Sequence, residues 1–67
     1  MYIVFGEVAY NFDQVINIQK TGDGSPGWYI ELKYQGYTEL IRFSSKAARD
    51  VAFIKLLKML NTKYFEI

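Results

Sequence analysis

Side chains able to do covalent or acid–base chemistry are sparse in this chain. It contains no Cys and no His, so the thiolate nucleophile and the proton shuttle that titrates near neutrality are both missing. Its acids, Glu7, Asp13, Asp23, Glu31, Glu39, Asp50 and Glu66, are scattered and form no evident pair. Ser44 and Ser45 stand where a helix cap is needed, and Lys46 falls one residue short of the Ser-x-x-Lys spacing of acyl enzymes. The stretch "TGDGSPG", residues 21–27, is rich in glycine, but it lacks the Walker lysine and leads into a strand, not a helix. Its only acid is Asp23, too few for a calcium loop. No catalytic, cofactor-binding or metal-ligating residue is nominated, and a non-enzymatic protein that folds without metal or cofactor is expected.

Binding chemistry is better represented. Tyr29, Lys33 and Arg42 on strands, and Arg49, Lys55 and Lys58 on a helix, are candidate contacts for single-stranded nucleic acid, which is held by cations and stacking aromatics. Glu31 and Glu39 lie among the strand residues, and no ribonucleoprotein-type aromatic motif is present. Charge is unevenly placed. Residues 1–41 carry two cations against five acids, and residues 42–67 carry six against two, leaving a net charge of +1. Such asymmetry can steer an anionic partner, and it also suits a helix whose cations favour its C-terminal end.

The elements that position these residues follow from the pattern. "YIVF" and "VAY" read as strands around a Gly6-Glu7 turn, and "NFD" as a second turn in which Asn11 and Asp13 bond their own backbone. "QVINIQK" is a third strand, with Ile16 and Ile18 on one side and Val15 and Asn17 on the other. "WYIELKY" and "YTELIRF" flank Gln35-Gly36, the loop of a two-residue hairpin. That loop sets a register: Tyr34 faces Tyr37, Leu32 faces Glu39, Ile30 faces Ile41 and Trp28 faces Phe43, all on the core face. Lys33–Thr38, Glu31–Leu40 and Tyr29–Arg42 share the outer face, the last as a candidate cation–π pair. Glu39 is the misfit of the core face and belongs at its rim.

A helix is expected over about 45–60, opened by Ser44 or Ser45 and ended by Asn61. Ala52, Phe53, Leu56, Leu57, Met59 and Leu60 form its sheet-facing stripe, with Arg49 at the upstream end. Val51 and Ile54 lie on the other side, among Lys55 and Lys58. The tail, residues 61–67, brings Tyr64, Phe65 and Ile67, too apolar for a frayed end in water. It can fold over Val51 and Ile54, add a strand to its own sheet, or do either in a second subunit; packing between subunits is favoured, because a domain of 67 residues gains most from a partner.

The expected architecture is α+β: one domain, residues 1–67, with an antiparallel four- to five-stranded β-meander in 1–43 packed against a single C-terminal α-helix. Trp28, Ile30, Ile41, Phe43, Phe53, Leu56 and Leu60 should be buried. No apolar run reaches the ~18–20 residues of a membrane span, and the N-terminus lacks the marks of a secretory leader. A soluble cytoplasmic protein is expected. "AYNFDQVINI" and "IRFSSKAARDVAFIKLL", less than half the chain, resemble short uncharacterised bacterial and phage proteins that run as a β-meander and end in one capped helix. Pleckstrin-homology-like folds share this order with more strands. The resemblance implies a prokaryotic or phage origin and no site residues. The function expected is a small protein-interaction or regulatory module that forms a homodimer or takes a protein partner through Val51, Ile54, Tyr64, Phe65 and Ile67. The alternative is single-stranded nucleic-acid binding.

Overall fold

The computed structural model describes residues 1–22 and 27–61. Strands β1 (Tyr2–Phe5) and β2 (Val8–Asn11) form a hairpin in which Phe5 sits opposite Val8. Gly6 takes φ 62° at its turn, a conformation that costs a residue without Cβ little. A single 3-10 helical turn, Phe12–Gln14, follows; the Asn11 side chain caps it by accepting from the Asp13 amide at 3.2 Å. Strands β3 (Val15–Thr21), β4 (Trp28–Tyr34) and β5 (Tyr37–Phe43) run antiparallel in that order. Helix α1 spans Lys46–Asn61.

The fold is α+β with five strands, and hydrogen bonding divides them into a two-stranded sheet, β1–β2, and a three-stranded sheet, β3–β4–β5. The pattern alone drew one continuous meander. The division falls at the 3-10 turn, which redirects the chain between β2 and β3. Phe12, read from sequence as a turn residue, is completely buried in the core and is among its largest side chains. Its amide donates to the Met1 carbonyl at 2.9 Å and ties the turn to the start of β1.

The β4–β5 register is the one expected, from Tyr34 opposite Tyr37 to Trp28 opposite Phe43, with Gly36 at φ 89° in the loop. β3 departs from its simple alternation. Its pairing with β4 steps from Val15–Tyr34 to Asn17–Lys33, so Ile16 is the extra residue of a bulge. Val15 and Ile18 therefore share the core face, with Val15 1% exposed, and Ile16 turns outward at 53%. The expected pairing of Ile16 with Ile18 on one side is corrected by that one inserted residue.

Ser45 is the N-cap: its hydroxyl accepts from the Ala48 amide at 3.1 Å, and its carbonyl from the Arg49 amide at 3.1 Å. Ala52, Leu56 and Leu60 lock the helix onto the sheet, where Ile30, Leu32 and Ile41 meet them. Trp28, Phe43 and Phe53 are half-buried, not fully buried as expected. Leu57 leaves the stripe and is exposed, because it lies about 100° around the helix from Leu56, the centre of the buried arc. Among the described residues no helix is long and apolar enough to cross a membrane.

Candidate functional site

An apolar concavity lies between β1 and α1. It is an open groove of about 710 Å³. Ile3, Val4 and Phe5 form one wall, and Val51, Ala52 and Met59 the other. Leu56 and Phe43 also line it, and Phe5 meets the Phe43 ring edge-on at 5.6 Å and 80°. Among the described residues, Lys55 is the only charged one in the lining. The sequence explains the wall on the helix. Going around α1 from Leu56, the flank toward β1 carries Ala52, Ala48, Lys55 and Val51, small or long-stemmed residues that leave room beside the core. Val51 is 54% exposed and Ile54, further round, 55%. Val4 on the opposite wall is exposed as well.

Of the expected interaction residues, the structure places Val51 in the groove wall and Ile54 on the exposed surface beside it. Tyr64, Phe65 and Ile67 lie outside the described residues. Sequence reasoning did not anticipate β1 as the second wall. The alternation of "YIVF" shows two faces, but nothing local says that its edge comes to rest beside a helix that begins some forty residues later.

The candidate nucleic-acid contacts do not converge. Lys33 and Arg42 are exposed and Tyr29 half-buried on the outer sheet face, with Glu31 between them on β4. Lys55 and Lys58 are exposed on α1. Arg49 is not a surface cation. It is 6% exposed, its guanidinium lies 5.0 Å from the centre of the Trp28 ring, and Nη1 donates to the Thr21 carbonyl at 3.2 Å. Nη1 also donates to the Gly22 carbonyl at 3.4 Å, and Nε to Asp50 Oδ1 at 3.1 Å. A buried guanidinium must have its charge met and its donors satisfied; Asp50 meets the charge, and these acceptors take the Nε and Nη1 donors. Asp50 is shared with Lys20 at 3.9 Å, and the Lys20 ammonium sits 5.4 Å from the centre of the Phe53 ring.

A second, smaller notch of about 190 Å³ lies between β2 and the β4–β5 turn, lined by Tyr2, Tyr10, Tyr34, Tyr37 and Glu39 among others. Tyr34 and Tyr37 stack at 4.7 Å and 5°. Burial, and then the neighbouring Tyr37, Glu39 and Tyr10, push the Tyr34 phenol above its ordinary pKa. Among the described residues, no three His, Cys, Asp or Glu side chains come together in a metal-binding arrangement.

Comparison of the chain with protein-family models, with curated proteins and with solved structures returns no match.

Proposed function

We propose that this protein is a small, non-enzymatic interaction module that self-associates through the groove side of α1. The observation that carries the reading is an open apolar groove walled by Val4 and Val51, with Ile54 exposed next to it. Magnitudes set the extent of the contact. Burying the exposed half of Val51 or Ile54 is worth about 1 kcal/mol each, and about 4 kcal/mol when a two-fold axis doubles them. Association costs on the order of 4–15 kcal/mol. The two helix side chains therefore do not suffice alone, and the β1 wall must join them. Tyr64, Phe65 and Ile67 are assigned to the same surface on their composition. Lys55 and Lys58 stay at the rim, stems on apolar surface and ammonium groups in water.

Sedimentation equilibrium at several concentrations tests the reading. The wild type should associate, and Ile54→Glu should weaken association at least tenfold while leaving the thermal midpoint of the isolated chain unchanged, because Ile54 points away from the core. A wild type that stays monomeric at millimolar concentration would refute it.

A further inference from the structure

β5 is an edge strand with no covering strand among the described residues, and it differs from the opposite edge in a way that matters for assembly. Exposed edges are ordinarily blunted by bulges, prolines, lysines or shortness. β3 carries a bulge at Ile16 and a lysine, Lys20. β5 pairs with β4 through seven consecutive residues without interruption, and "YTELIRF" holds no Pro and no Lys. What blunts it is two charged side chains, Glu39 on the inner face and Arg42 near its end on the outer, which leave Thr38 and Leu40 between them uncharged.

The edge also has a defined polarity. A two-residue loop makes Tyr34–Tyr37 a hydrogen-bonded pair, and such pairs alternate along an antiparallel ladder. Glu39 and Ile41 thus spend their backbone groups on β4, and Thr38 and Leu40 direct theirs to the open side. Leu40 stands at the midpoint of the strand, with its side chain 54% exposed on the outer face.

We infer that β5 is a second self-association surface, on which a second copy of this chain adds its own β5 antiparallel about a two-fold axis at Leu40. The register follows from charge and length. Centring on Leu40 sets Leu40 against Leu40 and Thr38 against Arg42, and overlaps the whole of β5. A shift one way centres on Glu39 and opposes two carboxylates, and a shift that centres on Arg42 opposes two guanidiniums, both unfavourable. Centring on Ile41 avoids like charges but loses overlap at Tyr37 and Thr38. The chosen register leaves Glu39 opposite Ile41 at the rim and joins the two sheets into one of six strands, β3–β4–β5 continued by its symmetry mate. Main-chain hydrogen bonds hold such a contact. The inference builds on the self-association reading but uses a different surface. Two isologous contacts on one chain assemble it beyond a dimer, into a closed tetramer or an open chain.

The absence of Cys makes the test clean. Leu40→Cys places two thiols across the axis at about 5.5 Å between Cα atoms, within disulfide reach. Mild oxidation should convert most of it to a covalent dimer, reversible by reductant. Lys33→Cys, exposed on the same face of the interior strand β4, should cross-link far less. In sedimentation, wild type should exceed dimer mass. Leu40→Lys should reduce it to the helix-side dimer, Ile54→Glu to the β5 dimer, and the double variant to monomer. Cross-linking of Leu40→Cys no greater than that of Lys33→Cys, or a mass unmoved by Leu40→Lys, overturns the β5 contact. If Ile54→Glu alone has no effect, the helix-side reading fails and the β5 contact stands; a wild-type monomer removes both.

Discussion

Arg49 joins the helix to the strand end more tightly than any other polar side chain described. Its guanidinium holds the carbonyls of Thr21 and Gly22, lies over Trp28 and meets Asp50. Arg49→Met keeps the stem against Trp28 and removes the donors. It should lower stability by about 1–3 kcal/mol, the cost of losing charge-assisted bonds and leaving carbonyls unmet, read as a shift in the urea midpoint. At the same scale, the raised Tyr34 pKa makes a signed pH prediction. A phenol that ionises later in the folded state binds more protons there than in the unfolded chain. Its stabilising effect is complete below the ordinary tyrosine pKa of about 10 and is lost as pH rises through the folded value. Tyr34→Phe should flatten the alkaline decline of the denaturation midpoint; an unchanged slope would assign that decline to other groups.

At the scale of elements, the β3 bulge and the helix cap make separate predictions. Deleting Ile16 removes the extra residue and leaves Val15 opposite Tyr34 and Asn17 opposite Lys33, so both faces survive. That variant should fold, with amide protection retained in β4. Deleting Gln19 should not be tolerated, because absorbing it through the bulge exchanges Ile18 for Asn17 on the core face. At the other end of the sheet, Ser45→Ala removes the acceptor for the Ala48 amide and should cost about 1 kcal/mol by thermal melting. The hairpins were legible because Gly6 and Gly36 sit between alternating runs and each loop length admits one register. The bulge was not legible, since "VINI" alternates plausibly either way, and only the partners Tyr34 and Leu32 decide which of its residues face inward.

For the whole molecule, stability is small in absolute terms. A chain of this length is held by roughly 3–10 kcal/mol at ~0.05–0.15 kcal/mol per residue. Leu56 is almost wholly buried at the centre of the helix stripe, so truncating it costs an amount comparable with that total. Leu56→Ala should cost about 2–5 kcal/mol and leave a population visibly unfolded at room temperature by circular dichroism. The electrostatics of the surface bear on the alternative function. With Arg49 withdrawn into the fold, Tyr29, Lys33 and Arg42 on the sheet and Lys55 and Lys58 on the helix are what remains of the candidate contacts. An interaction module should show no binding of a labelled single-stranded oligonucleotide at low salt by fluorescence anisotropy. Tight binding that weakens steeply with salt would mark phosphate contacts and displace the module reading.

What the sequence by itself determined is whatever short-range pattern controls: the α+β order, the β4–β5 register, the cap at the serines, and the exposure of Val51 and Ile54 away from the stripe. Each rests on neighbours within a few residues, where loop length, period and capping leave few alternatives. Only the tertiary structure decided how those pieces meet. It split the strands into two sheets at the Phe12 turn, buried Arg49, brought β1 beside α1 to make the groove, and left β5 at an edge. These are contacts between residues far apart in the chain, and their outcome depends on which packing satisfies Phe12 and the Arg49 guanidinium at once, a condition that no local window contains.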